Sequence, residues 1–285
     1  LQQIISGANL PLRRWVWFFP VLFAGVLYSQ RGKGALGIRN CLLSMTGMWF
    51  FAYLAPVMSA LVVLTVVCCG MLFAAVWRGA FGRRTKGKMA LSVSPLLVMQ
   101  VLGVWLAFMM EHLRERLAVL FHPQVDATGN GYMGSMMQNI MLGIPAPEIE
   151  PIDTTLLFTW NDGIGDWILA TAKLQFGWAG FFILLGLEVL FLVWGFRIAR
   201  RQTGLLARSV CMGVMVTFAV QTALYVLQNF GIILLAAYGL PLLSYGGNYL
   251  FQAMFLLGVL LSAQRTGQLE SGLAPCVSRV SEVGK

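Results

Sequence analysis

Gly239-Leu240-Pro241-Leu242-Leu243-Ser244-Tyr245-Gly246-Gly247 opens an apolar run that reaches about Ala263, and it places a proline, two adjacent glycines and two hydroxyls where a membrane helix should begin. A start of this kind leaves backbone N–H groups without intrahelical partners. At membrane depth such backbone is tolerated only where it is packed in protein or lines a wet cavity. Local spacing alone reads it as an ordinary turn before a helix. Its company sharpens the reading: Gln228-Asn229-Phe230-Gly231 lies just upstream, and Asp166-Trp167-Ile168-Leu169-Ala170 and Phe176-Gly177-Trp178-Ala179-Gly180 precede it.

Hydrophobic residues make up 58% of the 285 and charged residues only 11%, which excludes a soluble globular domain and predicts an integral membrane protein. The net charge of +9 does not indicate nucleic acid, because the basic residues sit in short clusters between apolar runs. There they orient helices and meet membrane lipids. Cys41, Cys68, Cys69, Cys211 and Cys276 form no C-x-x-C pair, and all but Cys276 fall in or beside apolar runs. They read as small buried hydrophobes, without a metal site or a disulfide framework.

A membrane span needs about 17 to 25 mostly apolar residues. Seven runs are read as spans, the second of them short: Leu12 to Ser29, Asn40 to Leu54, Pro56 to Trp77, Leu91 to Met110, Trp167 to Phe196, Ser209 to Ala237 and Leu240 to Ala263. The fold class is therefore an all-α polytopic membrane protein. Ala55-Pro56 divides the second run from the third, since proline lacks an N–H and restricts the residue before it. Arg31, Lys33 and Arg39, then Arg78, Arg83, Arg84, Lys86 and Lys88, then Arg197, Arg200, Arg201 and Arg208, and finally Arg265 all fall on one side of a seven-span chain. The positive-inside rule makes that side cytoplasmic, with Arg13 and Arg14 as exceptions. The domain layout follows: 1–111 holds the first four spans, 112–165 a large extracytoplasmic loop, 166–263 the last three spans, and 264–285 a polar tail expected to be disordered.

The loop and the helix after it carry the candidate chemistry. Arg114 and Arg116 read either as side chains snorkelling to the headgroups or as forked donors for a diphosphate. Asp166, at the first turn of an apolar run, reads as an N-terminal cap or as a carboxylate at the lip of a cavity, where desolvation makes it a better proton acceptor. Lys173 stands seven residues on, on the same helical face, as a partner for a carboxylate or phosphate or as a counter-charge to an acidic loop. Glu188 is the one acid well inside a run and calls for a partner from a neighbouring helix or a wet groove. Gln221 reads as interhelical glue and Asn229 as support for the 241–247 turn.

The ordered motifs resemble the SEDS family (shape, elongation, division and sporulation), the FtsW/RodA/SpoVE-type peptidoglycan polymerases. Arg114, Arg116, Phe121, Pro123, Asp126, Gly129, Gly131 and Tyr132 follow the family's R-x-x-x-F-x-x-P-x-x-D-P-x-G-x-G-Y-Q segment, with Ala127 for the second proline and Met133 for the glutamine. Residues 164–180 are similar to H-T-D-F-I-F-A-V-I-A-E-E-L-G-F-x-G in register, with Ile164-Gly165 for His-Thr and Leu174-Gln175 for Glu-Glu. Where the family carries P-D-x-G-T-A, this chain has Pro56-Val57-Met58-Ser59-Ala60. The family's further loop acid has four competitors here: Glu148, Glu150, Asp153 and Asp162.

The resemblance implies a ten-span fold of which these seven runs are the fourth to tenth, so three spans are expected upstream of Leu1. It implies a bacterial cytoplasmic-membrane glycosyltransferase that polymerises lipid II at the outer face in division, elongation or sporulation. In this reading Asp166 is the catalytic base, and Arg114, Arg116, Lys173, Ser244, Tyr245, Gly246 and Gly247 contact substrate. A class B penicillin-binding protein is the implied partner. The resemblance implies no definite cofactor, although a divalent cation suits the diphosphate. Two rivals stand beside it: a lipid flippase or other transporter, since Pro/Gly-interrupted spans line substrate paths, and a catalytically degenerate SEDS scaffold, which the altered 56–60 and 174–175 positions favour.

Overall fold

The computed structural model describes residues 18–54, 58–82, 85–109, 118–119, 122–126, 131–143, 167–202, 204–232, 239–244 and 250–266, and among these the regular structure is helical throughout. In chain order the helices are α1 (Phe19–Ser29), α2 (Gly34–Leu54), α3 (Met58–Trp77), α4 (Lys86–Met109), α5 (Tyr132–Leu142), α6 (Ile168–Arg201), α7 (Leu205–Asn229) and α8 (Leu250–Thr266). A 3₁₀ turn spans Pro123–Asp126. Seven of the eight fall on the seven apolar runs, and α5 lies inside the hydrophilic loop, where the sequence reading placed no element. α6 and α7 are long and apolar enough to cross a bilayer, and α1 and α8 are shorter apolar helices. α2 has 21 residues and so extends about 31 Å.

The chain divides into two compact units, and the division passes through α4, α6, α7 and α8. The first comprises residues up to Leu96, Leu192–Thr217 and Met254 onward. Its core is Phe23, Ala24 and Leu27 of α1, Ile38, Cys41 and Met45 of α2, Leu64, Val67, Cys68 and Leu72 of α3, Cys211 and Val214 of α7, and Leu256 and Leu260 of α8. Pro20 sits in the first turn of α1, where its missing N–H costs nothing. Trp49 of α2 donates its indole N–H to Thr65 of α3 at 2.8 Å, joining the helices that flank Ala55-Pro56. Gly213 of α7 faces Met71 of α3 so closely that an added Cβ would lie 2.9 Å from the thioether. Small residues are how membrane helices approach without a hydrophobic drive between them. The cysteines at 41, 68, 69 and 211 are free and buried, as the sequence implied, and Cys276 lies outside the described residues.

The second unit comprises Leu97–Phe191 and Phe218–Ala253. Its core joins Met136, Met137, Ile140 and Met141 of α5 to Trp167, to Leu169, Ala170 and Phe181 of α6, to Tyr225 of α7 and to Leu240. The spacing of the α5 residues, in neighbouring pairs four apart, gives that helix one apolar face. Gly143 ends it in the left-handed region at φ 69°, its N–H returning to the Asn139 carbonyl.

Two expected boundaries move. The last span does not start as helix at Leu240: residues 239–244 form a turn, Leu242 adopts φ 65°, and the described helix begins at Leu250. Pro241 and a left-handed residue cannot both continue a helix. α6 runs past Phe196 to Arg201 and is interrupted at Gly177, whose φ of 66° and ψ of −163° break the helical path. Residues 110–117, 120–121, 127–130, 144–166 and 267–285 lie outside the described residues, so the loop and tail assignments there have no structural counterpart.

Candidate functional site

The first turn of α6, immediately after Asp166, is held by α7. Ile168 donates its backbone N–H to the Tyr225 hydroxyl at 2.8 Å, and Ala170 donates its own to Asn229 Oδ1 at 3.1 Å. These are helix-start donors that no intrahelical carbonyl can reach. Tyr225 and Asn229 are one turn apart on α7, and the Asn229 amide also donates to the Tyr225 carbonyl at 3.0 Å, which fixes its orientation. Both are fully buried. Asn229 therefore supports the α6 start, whereas the sequence reading assigned it to the 241–247 turn. Tyr225 was missed, although its i,i+4 relation to Asn229 was visible in the sequence.

The Phe230-Gly231 pair that follows packs on α5 and α6. Gly231 has φ 65°, and a Cβ there would collide with the Gly134 carbonyl and come within 2.8 Å of the Gln138 side chain. Gln138 donates its amide to the Gly231 carbonyl at 2.9 Å. The Phe230 ring meets Phe181 edge-on at 5.7 Å, and Phe181 in turn meets Trp178 at 5.5 Å. Trp178 follows the Gly177 break, so the aromatic residues of the second motif reach the third. Gly180 is required by close packing, since a Cβ would lie 2.7 Å from that of Phe176.

Lys173 is committed locally. Its ammonium donates to the carbonyls of Ile140 and Met141, the latter at 2.9 Å, and lies 4.4 Å from the Trp178 ring centre. A cation on the last carbonyls of α5 satisfies acceptors that helix geometry leaves open and suits the dipole. Ser244 is likewise a turn element: its hydroxyl accepts the Leu240 N–H at 2.5 Å, and its N–H returns to the Leu240 carbonyl at 3.0 Å. Leu240 and Leu243 carry this turn onto the core containing Tyr225 and Phe230.

Glu188, 2% exposed, accepts a hydrogen bond from Thr222 of α7 at 3.1 Å. The neighbouring-helix partner that its position called for is thus a hydroxyl. Asp166, Arg114, Arg116, Tyr245, Gly246 and Gly247 lie outside the described residues, as do Pro56 and Val57. Among the candidate site residues that are described, Lys173 and Ser244 belong to the same packed unit as the anchored start of α6.

The long apolar helices, with buried polar links between them, define an α-helical polytopic membrane protein. Residues 17–268 match the FtsW/RodA/SpoVE cell cycle protein family, and the chain belongs to that family, the SEDS proteins that its motifs resemble. It is 24% identical over 287 aligned residues to the probable peptidoglycan glycosyltransferase FtsW of Halothiobacillus neapolitanus, covering 90% of this chain and 64% of that protein. It is 28% identical over 163 residues to the peptidoglycan glycosyltransferase MrdB of Escherichia coli K12, covering 56% of this chain and 44% of the relative. A match to the probable FtsW of Trichlorobacter lovleyi is 27% identical over 106 residues, 37% of this chain and 28% of that protein. The chain thus spans less than two thirds of the length of the curated relatives it matches.

Proposed function

We infer that this chain is the part of a bacterial peptidoglycan glycosyltransferase that carries its catalytic aspartate and substrate-facing motifs. Lipid II, the lipid-linked disaccharide-pentapeptide, is polymerised at the outer face of the cytoplasmic membrane. Asp166 accepts the proton of the acceptor sugar hydroxyl as that oxygen attacks the donor's anomeric carbon. The bond to the polyprenyl diphosphate breaks, and Arg114 or Arg116 steadies the departing charge, with a divalent cation where one binds. A class B penicillin-binding protein crosslinks the product.

The observation that supports this reading is the way the α6 start is satisfied. A capping carboxylate would take first-turn N–H groups, yet Tyr225 and Asn229 already hold those of Ile168 and Ala170. Two of the donors that a cap at Asp166 would serve are thus already taken by α7. Lys173, bound to the end of α5, enters as a positioning residue. The scaffold alternative keeps two specific supports, Val57 in place of the family's acid and the Leu174-Gln175 replacement of an acidic pair.

Asp166→Asn in the full-length protein is the test, read as lipid II polymerisation by the purified complex without another polymerase. A general base lost should lower the rate about 100-fold to 10,000-fold. A lost cap should cost about 1 kcal/mol of stability and leave the rate nearly unchanged. Near-native activity of the variant returns Asp166 to a cap, and an inactive unmutated protein gives the scaffold reading the lead.

A further inference from the structure

The described part of the first unit contains no aspartate or glutamate, yet several of its arginines converge. Arg31 from the α1–α2 turn, Arg78 after α3 and Arg208 of α7 line one cavity of about 50 Å³ with Ser209, and Met71 and Met212 form apolar wall. The space exceeds several-fold what one water needs. Arg208 is half-buried, and its Nε is buried without a hydrogen-bond partner. Its charge sits in the first turn of α7, where the helix dipole opposes a cation, so nothing in the helix offsets it. Arg78 feels the same crowding: burial, then the charges of Arg208 and Arg200, push its pKa below the ordinary arginine value.

The turns that present these groups are built rather than loose. Gly32 donates its N–H to the Ala80 carbonyl at 3.0 Å, joining the turn that bears Arg31 to the turn after Arg78. Lys88 closes the same region by donating to the Phe81 carbonyl at 3.0 Å. Three arginines line this cavity, Arg31 and Arg78 exposed and Arg208 half-buried, and no described residue of the unit offers them a carboxylate, which makes the cavity receptive to an anion. Their planar forks suit phosphate oxygens, and a buried unpaired donor is costly to leave empty. The apolar wall distinguishes an amphiphile from a free ion. By the positive-inside rule the cavity is on the cytoplasmic side, where anionic phospholipid is available.

We propose that the Arg31/Arg78/Arg208 cavity is a binding site for the phosphate of an anionic glycerophospholipid of the cytoplasmic leaflet, its glycerol and upper acyl carbons lying on the Met71 and Met212 wall. The site is independent of glycan synthesis and of Asp166.

The test is native mass spectrometry of the detergent-purified protein titrated with phosphatidylglycerol, with phosphatidylcholine as the neutral comparison. One tightly retained phosphatidylglycerol is expected. Arg208→Gln should weaken it about fivefold, Arg78→Gln similarly, and the pair more than tenfold, in line with the contribution of one basic side chain at an anionic surface. Arg265→Gln, an exposed arginine outside the cavity, should leave retention unchanged. If Arg208→Gln does not fold, Arg78→Gln and Arg31→Gln carry the test. Retention that is equal in all variants overturns the site. Complete displacement of the lipid by millimolar inorganic phosphate overturns the lipid and makes the ligand a free anion. Binding that appears only after residues 267–285 are deleted shows that the tail fills the cavity and overturns the proposal too.

Discussion

The two units of this chain differ in how far their buried polar groups reach for partners, although Trp49 already links α2 to α3 in the first. In the first, Ser92 donates to the Met89 carbonyl and Thr217 to the Gly213 carbonyl, each within its own helix. In the second, Ala170 reaches Asn229 across 59 residues, Gln138 reaches Gly231 across 93, and Thr222 reaches Glu188 across 34. Local bonds let a helix enter a bilayer by itself and leave its neighbours to be chosen by packing. Long-range bonds fix which turn meets which helix, at the cost of orphaned groups whenever the arrangement slips. The second pattern is what a reaction site requires, because a catalytic carboxylate must be held by residues whose positions are already determined.

The comparison breaks first at Asp166. If the second unit is built for chemistry, Asp166→Asn abolishes polymerisation while protein level and partner binding persist, and Glu188→Gln, which keeps an acceptor for Thr222, has a much smaller effect. A Glu188→Gln loss as deep as that of Asp166→Asn, measured in the same lipid II assay, would place the chemistry elsewhere.

Next come the glycines. Gly231→Ala must force a left-handed alanine against the Gly134 carbonyl and the Gln138 side chain, and is expected to cost about 2–4 kcal/mol. Gly70→Ala in α3 meets nothing within 4 Å and removes a helix-interior glycine, so it should be neutral or stabilise by up to about 1 kcal/mol. Thermal unfolding in detergent compares them, and equal midpoints would erase the distinction between the units.

Smaller again is the polar exchange. Asn229→Ala strands the Ala170 N–H and should cost about 1–3 kcal/mol, while Thr217→Val deletes only a bond to its own helix and should cost less than about 1 kcal/mol. Pairing Asn229→Ala with Tyr225→Phe in a double-mutant cycle should reveal positive coupling, because the Asn229 amide donates to the Tyr225 carbonyl and both residues hold one helix turn. Strict additivity would mean that the two anchors act separately.

The basic loops and the motif-bearing loop are also separable by sidedness. Cysteines placed at Thr85 and Thr203, in a background without native cysteines, should resist a membrane-impermeant thiol reagent in intact cells, and one at Thr128 should react. Reaction at 85 with protection at 128 would invert the topology.

Much of this was legible beforehand. Hydropathy located every apolar helix, because burial in lipid depends on composition over about 20 residues and little on neighbours. Ala55-Pro56 divides the second run from the third in the sequence reading, and both residues lie outside the described ones. Helix α5 escaped notice because Tyr132 to Leu142 is too short and too polar to read as a span, and its apolar face acquires meaning only against Trp167 and Leu240. The role of Lys173 was open for a related reason: the carbonyls that take its protons lie more than 30 residues away.

The sequence by itself determined that the protein is helical, that it belongs in a membrane and which family its motifs belong to. These properties follow from residue type and local spacing. Only the tertiary structure decided that Tyr225 and Asn229 hold the start of α6, that Lys173 closes α5, that Ser244 closes the turn at Leu240, and that Arg31, Arg78 and Arg208 share one cavity. The physical reason is that a donor's partner is set by which helices pack together. Sequence restricts that choice through size and shape but does not display it.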